Sequence, residues 1–337
     1  MSFKIVVTIG DTLISNPEKL KKIDSYGDCI YRINGAHVDS GTLPRIIENL
    51  RAKLEAPKIM LDLPGNKIRT MSLSEPIPLI RGEMFELHDY QVNYPDFFSH
   101  LKRDDLMLAN DSTSLLEVRE INGATIKVLS HSDGILQNNK GLHVRGIHQD
   151  IPFLFPKDIE LIEVTSKEKL DYMAISFVRQ AEDIKEAKKV LAKNKNSGTQ
   201  IFAKVETAKA IENLEHIFKE VDYISLDRGD LSADIGILDL PVAQEHVIDL
   251  AKRAGKNIYL ATQFLKNMEN NPVPLIAEII DLHRTIKRGV SGIQLSEETA
   301  LGKYPCECVK LGFDIFNQYF SGKEERPLDL RDELLKL

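Results

Sequence analysis

Three charged residues in the middle of the chain have the types and spacing of a metal-assisted reaction site. Lys204 and Glu206 are two residues apart, so in an extended strand their side chains point to the same side. Asp230 follows the next apolar segment, and two carboxylates from adjacent strands suit Mg²⁺ or Mn²⁺. An ammonium beside such an ion can neutralise charge on a phosphoryl group or an enolate. A salt bridge at the rim of the fold is the alternative interpretation of the same pattern.

Eight short apolar segments predict the strands that position these residues. They are short and apolar, which is typical of parallel strands that are buried on both faces. The segments are residues 4–9, 30–33, 58–62, 172–176, 201–205, 223–226, 258–261 and 292–295. Most intervals between them hold one helical pattern, and the predicted helices are residues 17–26, 180–194, 207–221, 242–254, 274–287 and 306–319.

The interval between residues 62 and 172 is too long for one crossover connection. Residues 71–156 alternate in polarity, contain Asn-Gly and Asp-Gly turns and show no long helical stripe, which predicts a small β domain. The rest of the chain then has about 250 residues, the usual size of an eight-stranded barrel. We therefore predict an α/β fold: a (β/α)8 TIM barrel formed by residues 1–70 and 157–322, a small β-barrel-like lid domain (71–156) inserted after strand three, and a short tail (323–337).

The active site of such a barrel lies at the carboxyl ends of its strands. Arg32 and Asn34 close the second predicted strand, Asp62 closes the third, and Thr262 follows the seventh. With Lys204 and the carboxylates described above, two cations and several acidic groups converge on one mouth. This arrangement indicates a site for an anionic substrate and a divalent metal.

Composition excludes several other classes of function. Of the 337 residues, 44 are basic and 51 acidic, and the net charge of −7 argues against nucleic acid as the main partner. The apolar runs are too short to span a bilayer, and the amino terminus does not resemble a signal peptide. Three cysteines are too few for a disulfide framework. We therefore expect a cytoplasmic protein that binds neither membranes nor nucleic acid.

Other motifs are weaker. Residues 228–230 spell Arg-Gly-Asp, but without a secretion signal they are a poor indication of adhesion. Neither GxxxxGK[ST] nor GxGxxG occurs, so a nucleotide would be held in another way. The histidines lack metal-ligand spacing, although His37 lies close to Arg32 and Asn34 at a strand end.

Ten segments that contain these residues resemble pyruvate kinase. They run in family order from about residue 4 to residue 310, and they read KIVVTIG, YRINGAHV, MLDLPGNKIRT, NNKGLHVRG, DIPFLFPKDI, DYMAISFVRQAEDI, IFAKVETAKAIENL, DRGDLSADIG, RAGKNIYLATQFLKNM and LSEETALGKYP. The resemblance implies a (β/α)8 barrel with a β lid after strand three, in agreement with the pattern. It also implies a C-terminal α/β domain, which we do not expect in this chain because the sequence ends too early.

The resemblance implies a chemical role for each matching residue. Glu206 and Asp230 resemble the ligands of Mg²⁺ or Mn²⁺. Lys204 resembles the lysine that stabilises the phosphoryl group in transfer, and Arg32 resembles the arginine that contacts phosphate. Thr262 resembles the residue beside the enolate carbon, which helps to deliver a proton through water.

Further residues match binding positions of the family. Gly229 and Asp230 resemble residues whose backbone N–H groups bind the substrate carboxylate. Arg69 resembles an arginine at the junction of barrel and lid. Asn34 and Asp62 resemble ligands of a monovalent cation.

Two departures from the family affect that cation site. A serine of the family is Ala36 here, which removes a hydroxyl ligand, and a glutamate is Lys67. The ammonium of Lys67 near Asn34 and Asp62 could supply the charge that K⁺ otherwise supplies. We therefore expect that K⁺ is not required; a surface position of Lys67 is the alternative.

The nucleotide side of the site departs further. Asp11 replaces a proline and would repel a polyphosphate, and Leu301 replaces a lysine. Asn34, His37 and Lys140 remain as residues that could face a nucleotide. The half of the site that would hold the metal and the acid is thus better preserved than the half that would hold ADP.

Three functions stay open at this point. The first is Mg²⁺-dependent phosphoryl transfer between phosphoenolpyruvate and ADP, giving pyruvate and ATP. The second is metal-dependent lyase or enolate chemistry on a pyruvate-like 2-oxo acid without a nucleotide, which Asp11 and Leu301 motivate. The third is a non-catalytic regulatory homologue, against which the retained reactive residues argue. The expected partners are these small molecules, with a homodimer through the barrel domain as a possible assembly.

Overall fold

The computed structural model describes residues 3–110, 112–196 and 198–320. Fifteen strands lie in these residues: β1 Lys4–Thr8, β2 Cys29–Asn34, β3 Lys58–Asp62, β4 Ile77–Leu79, β5 Met84–His88, β6 Leu106–Ala109, β7 Ser114–Asn122, β8 Thr125–Ser130, β9 Gly134–Leu136, β10 Leu142–Val144, β11 Tyr172–Ile175, β12 Gln200–Val205, β13 Tyr223–Asp227, β14 Asn257–Ala261 and β15 Gly292–Leu295. Eight of them form a closed parallel barrel in the order β1-β15-β14-β13-β12-β11-β3-β2. The predicted (β/α)8 barrel and its eight strands are therefore confirmed.

Twelve α-helices lie in the same residues: α1 Asp11–Ile14, α2 Pro17–Asp24, α3 Leu43–Lys53, α4 Pro156–Val164, α5 Ala181–Lys193, α6 Ala208–Glu212, α7 Leu214–Phe218, α8 Arg228–Ile235, α9 Leu240–Arg253, α10 Ile276–Lys287, α11 Glu297–Ala300 and α12 Pro305–Phe320. None of these helices is both long and apolar enough to cross a bilayer.

The predicted helix over residues 207–221 is wrong in one respect, because the structure divides it into α6 and α7. Asn213 lies at the break, where its side-chain amide donates to the carbonyl oxygens of Arg179 and Lys209. An asparagine that bonds to nearby backbone in this way competes with the regular helical pattern. The sequence pattern also did not single out α3, α4 or α8, and α8 begins directly at the end of strand β13.

Residues 71–156 contain β4–β10, which pair outside the barrel. Five strands form the antiparallel order β10-β6-β7-β8-β5, and β4 pairs with β9. Their inward residues, among them Met107, Leu116 and Val128, form an apolar core separate from that of the barrel. We call this part the lid. The predicted tail at residues 323–337 lies outside the described residues.

A change of residue type along each barrel strand creates the site. An apolar layer fills the interior and includes Val6, Ile30, Met60, Ala174 and Phe202. Side chains two residues further along a strand point to the same face. In the same strands and their extensions these positions hold Thr8, Arg32, Asp62, Ser176 and Lys204. The barrel interior is thus apolar in its middle and polar at its carboxyl mouth.

Candidate active site

Lys204 lies at the centre of the polar mouth. Its ammonium Nζ is 2.8 Å from Glu206 Oε1 and 3.3 Å from both Asp62 Oδ2 and Asp227 Oδ2, and it donates to Ser176 Oγ at 3.2 Å. Burial alone would lower the pKa of Lys204, but the three carboxylates outweigh burial and raise it well above its ordinary value. Lys204 is therefore a fixed positive charge at the end of strand β12.

Arg32 is the second buried cation of the mouth. Its Nε donates to Asp62 Oδ2 at 2.7 Å, and its NH1 donates to Thr8 Oγ1 at 2.8 Å. Burial would raise the pKa of Asp62, but Lys204 and Arg32 together lower it. Asp62 therefore stays ionised and holds the two cations on one side of the mouth, where an incoming anion would meet both.

Three carboxylates form the acidic side of the mouth. Each of Glu206, Asp227 and Asp230 offers one oxygen, and these oxygens lie within 4.8 Å of one another. Asp227 Oδ1 is buried without a hydrogen-bond partner among the described residues, and Glu206 Oε1 has only its ion-pair contact with Lys204. Three clustered carboxylates, with one buried oxygen that has no donor among the described residues, are a suitable ligand set for a hard divalent cation, so these residues fit Mg²⁺ or Mn²⁺.

Glu206 is oriented by backbone at the end of the neighbouring strand. Its Oε2 accepts a hydrogen bond from the Phe177 N–H at 2.7 Å, and Phe177 has a left-handed φ of 53°. Burial, opposed by Lys204 and reinforced by Asp227 and Asp230, raises the pKa of Glu206 to about 8. Excess negative charge in the cluster thus favours either a proton or a cation at Glu206.

Asp230 is paired with a residue from the other side of the mouth. Its Oδ1 is 2.6 Å from the ammonium of Lys67, which follows a turn after strand β3. Burial would raise the pKa of Asp230, but Lys67 and, more weakly, Lys204 hold it below its ordinary range. The stem of Lys67 passes the lid backbone at Gly141, where an ideal Cβ would lie 2.8 Å from Lys67 Cε.

The structure does not bring Lys67 to the place that the sequence suggested. Asn34 and Asp62 are register neighbours on strands β2 and β3, as a shared cation site requires. Among the described residues, however, Asp62 is paired with Arg32 and Lys204 and not with Lys67. Asp62 already forms ion pairs with two cations, and the ammonium of Lys67 instead pairs with Asp230, whose carboxylate is more exposed.

Thr262 closes the mouth at the end of strand β14. It has a left-handed φ of 76°, an uncommon conformation for a β-branched residue that recurs at functional sites. Its Oγ1 donates to the Ala261 carbonyl at 2.6 Å and accepts from the Gly229 N–H at 3.0 Å. The backbone donor that we expected Gly229 to offer to a substrate is therefore already used by Thr262.

The Arg-Gly-Asp motif is not a surface loop. Arg228 begins helix α8, and its guanidinium is 2.7 Å from Asp281 Oδ2 and lies over the Phe264 ring. Gly229 and Asp230 are in the first turn of the same helix. The motif therefore positions Asp230 at the mouth, and its arginine serves packing.

The residues expected on the nucleotide side are more widely spread. Asn34 Oδ1 accepts from the Ala36 N–H at 3.1 Å, which orders the turn leading to His37. Burial lowers the pKa of His37, and the nearby cations Arg69, Arg32 and Lys157 lower it further. Lys140 belongs to the lid, where its backbone pairs with Thr70. Asp11 opens helix α1, and Leu301 is exposed.

Sequence reasoning assigned no role to four residues of this site, although Ser176, Phe177 and Asp227 lie at the predicted strand ends. Asp227, Ser176 and Phe177 contact Lys204 or Glu206, and Lys157 donates to the Ala36 carbonyl oxygen. The alternation along the strands could have identified Asp227, because it lies two residues after the inward Ser225. No sequence signal indicates Phe177, because its contribution comes from the backbone.

The closed barrel and its polar mouth define a class, the (β/α)8 proteins whose functional residues lie at the carboxyl ends of the strands. Comparison with known proteins places the chain within that class. The family model described as pyruvate kinase, barrel domain, matches residues 1–309. The chain therefore belongs to the pyruvate kinase family.

Curated relatives agree with this assignment. The chain is 33% identical to a pyruvate kinase of Thermotoga maritima over 324 residues, which are 92% of this chain and 69% of that protein. It is 31% identical to a pyruvate kinase of Borreliella burgdorferi (91% and 66%) and 30% identical to one of Aeropyrum pernix (96% and 73%). The chain thus spans between about half and three quarters of the length of the curated relatives that it matches.

Proposed function

We propose that this protein is a pyruvate kinase-type phosphotransferase that moves a phosphoryl group between phosphoenolpyruvate and ADP with the help of Mg²⁺ or Mn²⁺. Family membership supports the transferase class. The observation that carries the proposal is the buried ammonium of Lys204, which contacts three carboxylates and shares Asp62 with Arg32. Such a set of fixed charges is what phosphoryl transfer needs, because its catalysis depends on positioning and electrostatic stabilisation.

The charged residues divide the work between them. Glu206 and Asp230, with Asp227 beside them, would hold the divalent cation, which neutralises charge on substrate oxygens when it is bound. Arg32 and Lys204 share Asp62, and Lys204 also contacts Glu206 and Asp227, so the two cations would bind the phosphoryl group as it moves beside the metal. Because both cations are held by Asp62, they need little rearrangement when the anion arrives.

Thr262 would act at the enolate left behind by the transfer. In the free protein its hydroxyl donates to one backbone carbonyl and accepts from one backbone N–H, and these two bonds set its orientation. A substrate carboxylate at the amino-terminal turn of α8 would compete with Thr262 for the Gly229 N–H. We infer that binding of the acid turns the Thr262 hydroxyl towards the reacting carbon, where it can pass a proton through water.

A direct assay tests the proposal. Purified protein, phosphoenolpyruvate, ADP and Mg²⁺ should yield ATP. Glu206→Ala should abolish the reaction, and its circular dichroism spectrum should match that of the unmodified protein. Absence of turnover with Mg²⁺ and with Mn²⁺ would contradict the proposal and favour a non-catalytic role.

A second candidate function uses the same metal and Lys204 for enolate chemistry on a 2-oxo acid, without a nucleotide. The exposed apolar side chain of Leu301 and the acidic Asp11 favour it, because neither can bind a polyphosphate. Calorimetric titration with ADP and Mg²⁺ separates the two functions. Tight ADP binding excludes the lyase, and its absence together with metal-dependent oxalate binding excludes the kinase.

We further propose that activity does not require K⁺. Asp62 is neutralised by Arg32 and Lys204, and Ala36 offers no side-chain oxygen to an ion. ATP formation should therefore be the same, within about twofold, in KCl, in NaCl and in tetramethylammonium chloride at equal ionic strength. A strong stimulation by K⁺ alone would contradict this prediction.

We also propose a cytoplasmic homodimer formed through the barrel. The three cysteines are buried thiols, which suits a reducing compartment. Several strongly exposed apolar side chains lie on consecutive connections at the carboxyl end of the barrel, namely Ile237, Leu238, Val242 and Ile276. An isologous interface would cover them with the same surface of a second copy.

The assembly is tested by light scattering after gel filtration. The unmodified protein should elute as a dimer, and Leu238→Glu combined with Ile276→Glu should shift it to a monomer without loss of helical signal. A monomeric unmodified protein at tens of micromolar would contradict the proposal.

A further inference from the structure

The position of Lys67 has a consequence for how the mouth binds metal. Its ammonium lies 2.6 Å from Asp230 Oδ1, and its side chain is only 17% exposed. The lid backbone at Gly141 leaves just enough room for the lysine stem to pass. The ammonium is therefore held between barrel and lid, on one of the three carboxylates that would hold a divalent cation.

Two opposite roles are possible for a cation in this position. A lysine that hydrogen-bonds a metal ligand from outside can orient the ligand, and its removal then weakens metal binding. A lysine that occupies the place of the metal competes with it, and its removal then strengthens metal binding. The two roles differ in the sign of one measurable quantity.

The charges of the mouth favour competition. When ionised, Asp62, Glu206, Asp227 and Asp230 carry four negative charges, the paired cations Arg32, Lys67 and Lys204 carry three positive ones, and Arg69 adds its charge near Asp230. The carboxylates are thus nearly neutralised before any metal arrives. Lys204 is buried and has three acidic partners, whereas the single acidic contact of Lys67 among the described residues is Asp230. Lys67 is therefore the cation that a metal could displace at least cost.

We propose that the ammonium of Lys67 is a built-in competitor of the divalent cation: metal binding at the carboxylate cluster releases Lys67 from Asp230 and frees it for the anionic substrate. This inference rests on the metal site of the proposed function. It adds two roles for Lys67. In the free protein Lys67 keeps the metal affinity low, and once the metal is bound its positive charge helps to bind the acid.

The test compares Mn²⁺ binding to the full chain without nucleotide or acid, by electron paramagnetic resonance of the free ion. Lys67→Met, which keeps an unbranched stem as far as the ε carbon but removes the ammonium, should bind Mn²⁺ about tenfold more tightly than the unmodified protein. Lys67→Arg should restore weak binding. If Lys67→Met binds Mn²⁺ equally or more weakly, the proposal is overturned, because Lys67 then does not compete with the metal and can at most orient the Asp230 carboxylate.

A matched control removes the effect of net charge. Lys256 pairs with Asp222 at 3.0 Å and its side chain is 18% exposed, but it immediately precedes strand β14, at the opposite end of the barrel. Lys256→Met changes the charge of the protein equally and should leave Mn²⁺ affinity unchanged. A gain equal to that of Lys67→Met would also overturn the proposal.

Two further measurements separate possible failures. Glu206→Ala should lose Mn²⁺ binding. If it keeps Mn²⁺ binding, the proposed metal site itself is wrong. If Glu206→Ala loses binding but Lys67→Met shows no gain in affinity, only the competition by Lys67 is refuted.

In the unmodified protein, acetylation of Lys67 by acetic anhydride, measured by mass spectrometry, should accelerate when Mn²⁺ is added. An unchanged or slower rate contradicts the release of the ammonium and does not depend on any variant folding.

Discussion

Asp227 is the residue that most changes the chemistry of the mouth. It places a third carboxylate beside Glu206 and Asp230, and one of its oxygens is buried without a donor among the described residues. An unpartnered carboxylate oxygen is costly unless a cation is close. Lys204 supplies part of the compensation through the other oxygen, at 3.3 Å.

Replacing this carboxylate by an amide tests whether it also serves the metal. Asp227→Asn keeps the shape of the side chain but removes one negative charge, so Mn²⁺ should bind about tenfold more weakly. Asp222→Asn, at the far end of the barrel, is the control and should have no effect. Unchanged affinity in Asp227→Asn would mean that Asp227 serves only Lys204.

The residues of the mouth differ in how far the sequence could predict them. Arg32, Asp62 and Lys204 follow from the alternation of inward residues, since each comes two positions after an apolar interior residue of its strand. The partner of Lys67 could not be predicted, because its side chain is directed by the path of the lid at Gly141, more than seventy residues away in sequence. The use of the Gly229 N–H by Thr262 likewise depends on a left-handed turn that no local pattern indicates.

At the scale of elements, a buried polar chain joins the lid to the barrel. Asn66 follows strand β3 and pairs with His148 at 3.0 Å, His148 is 3.3 Å from His143 on β10, and His143 is 3.4 Å from Asp234 of helix α8. The His148 ring also stacks on Phe177, whose backbone orients Glu206. The lid is thus connected through two histidines to the helix that carries Asp230.

Acid should weaken this connection. Burial, with a smaller contribution from His143, lowers the pKa of His148 to about 3, whereas an unfolded histidine titrates near 6.5. The stability that neutral His148 contributes is therefore complete above about pH 6.5 and is lost as the pH falls towards 3, with a slope of at most ~1.4 kcal/mol per pH unit.

Urea unfolding measured between pH 7 and pH 5 checks this prediction. His148→Gln, which can still pair with Asn66, should lose less stability on acidification than the unmodified protein. The exposed His216→Gln is the control and should retain the full loss. Identical pH dependence in all three proteins would show that His148 is not buried in its neutral form.

The elements themselves were largely predictable, and the exceptions have a physical cause. The barrel strands are short, mostly apolar segments buried on both faces, so their composition alone identified them. Helix α8 was not identified, because it starts without a turn at Arg228 and its first turn contains Gly229 and Asp230. The residues of this helix serve the site at the mouth, and they do not form the apolar stripe by which a helix is identified in a sequence.

For the whole molecule, the main feature is the presence of two separate apolar cores. The barrel core and the lid core share no buried residue, and the segments around residues 63–76 and 145–155 form the backbone connection between them. Damage to one core should therefore remain local to it.

Hydrogen exchange tests this separation. Leu116→Ala in the lid core should cost about 2–4 kcal/mol and reduce amide protection in β5–β8 and β10 while leaving the barrel strands protected. Leu260→Ala in the barrel core should reduce protection in the barrel strands. If Leu116→Ala lowers protection to the same extent everywhere, the two cores unfold as one unit.

Closure of the barrel pairs its first strand in sequence with its last. Strand β1 pairs with β15, so Lys4 lies opposite Gly292. Strand β3 pairs with β11, which follows it in sequence only after the whole lid. A chain emerging from the ribosome can complete the lid core from contiguous residues, but its barrel stays open along two edges until residue 295 has been made. Strand β1 therefore exposes an unpaired edge until β15 has been made, and β3 does so until β11 has been made, so protection of these edges by chaperones during synthesis would raise the yield of folded protein.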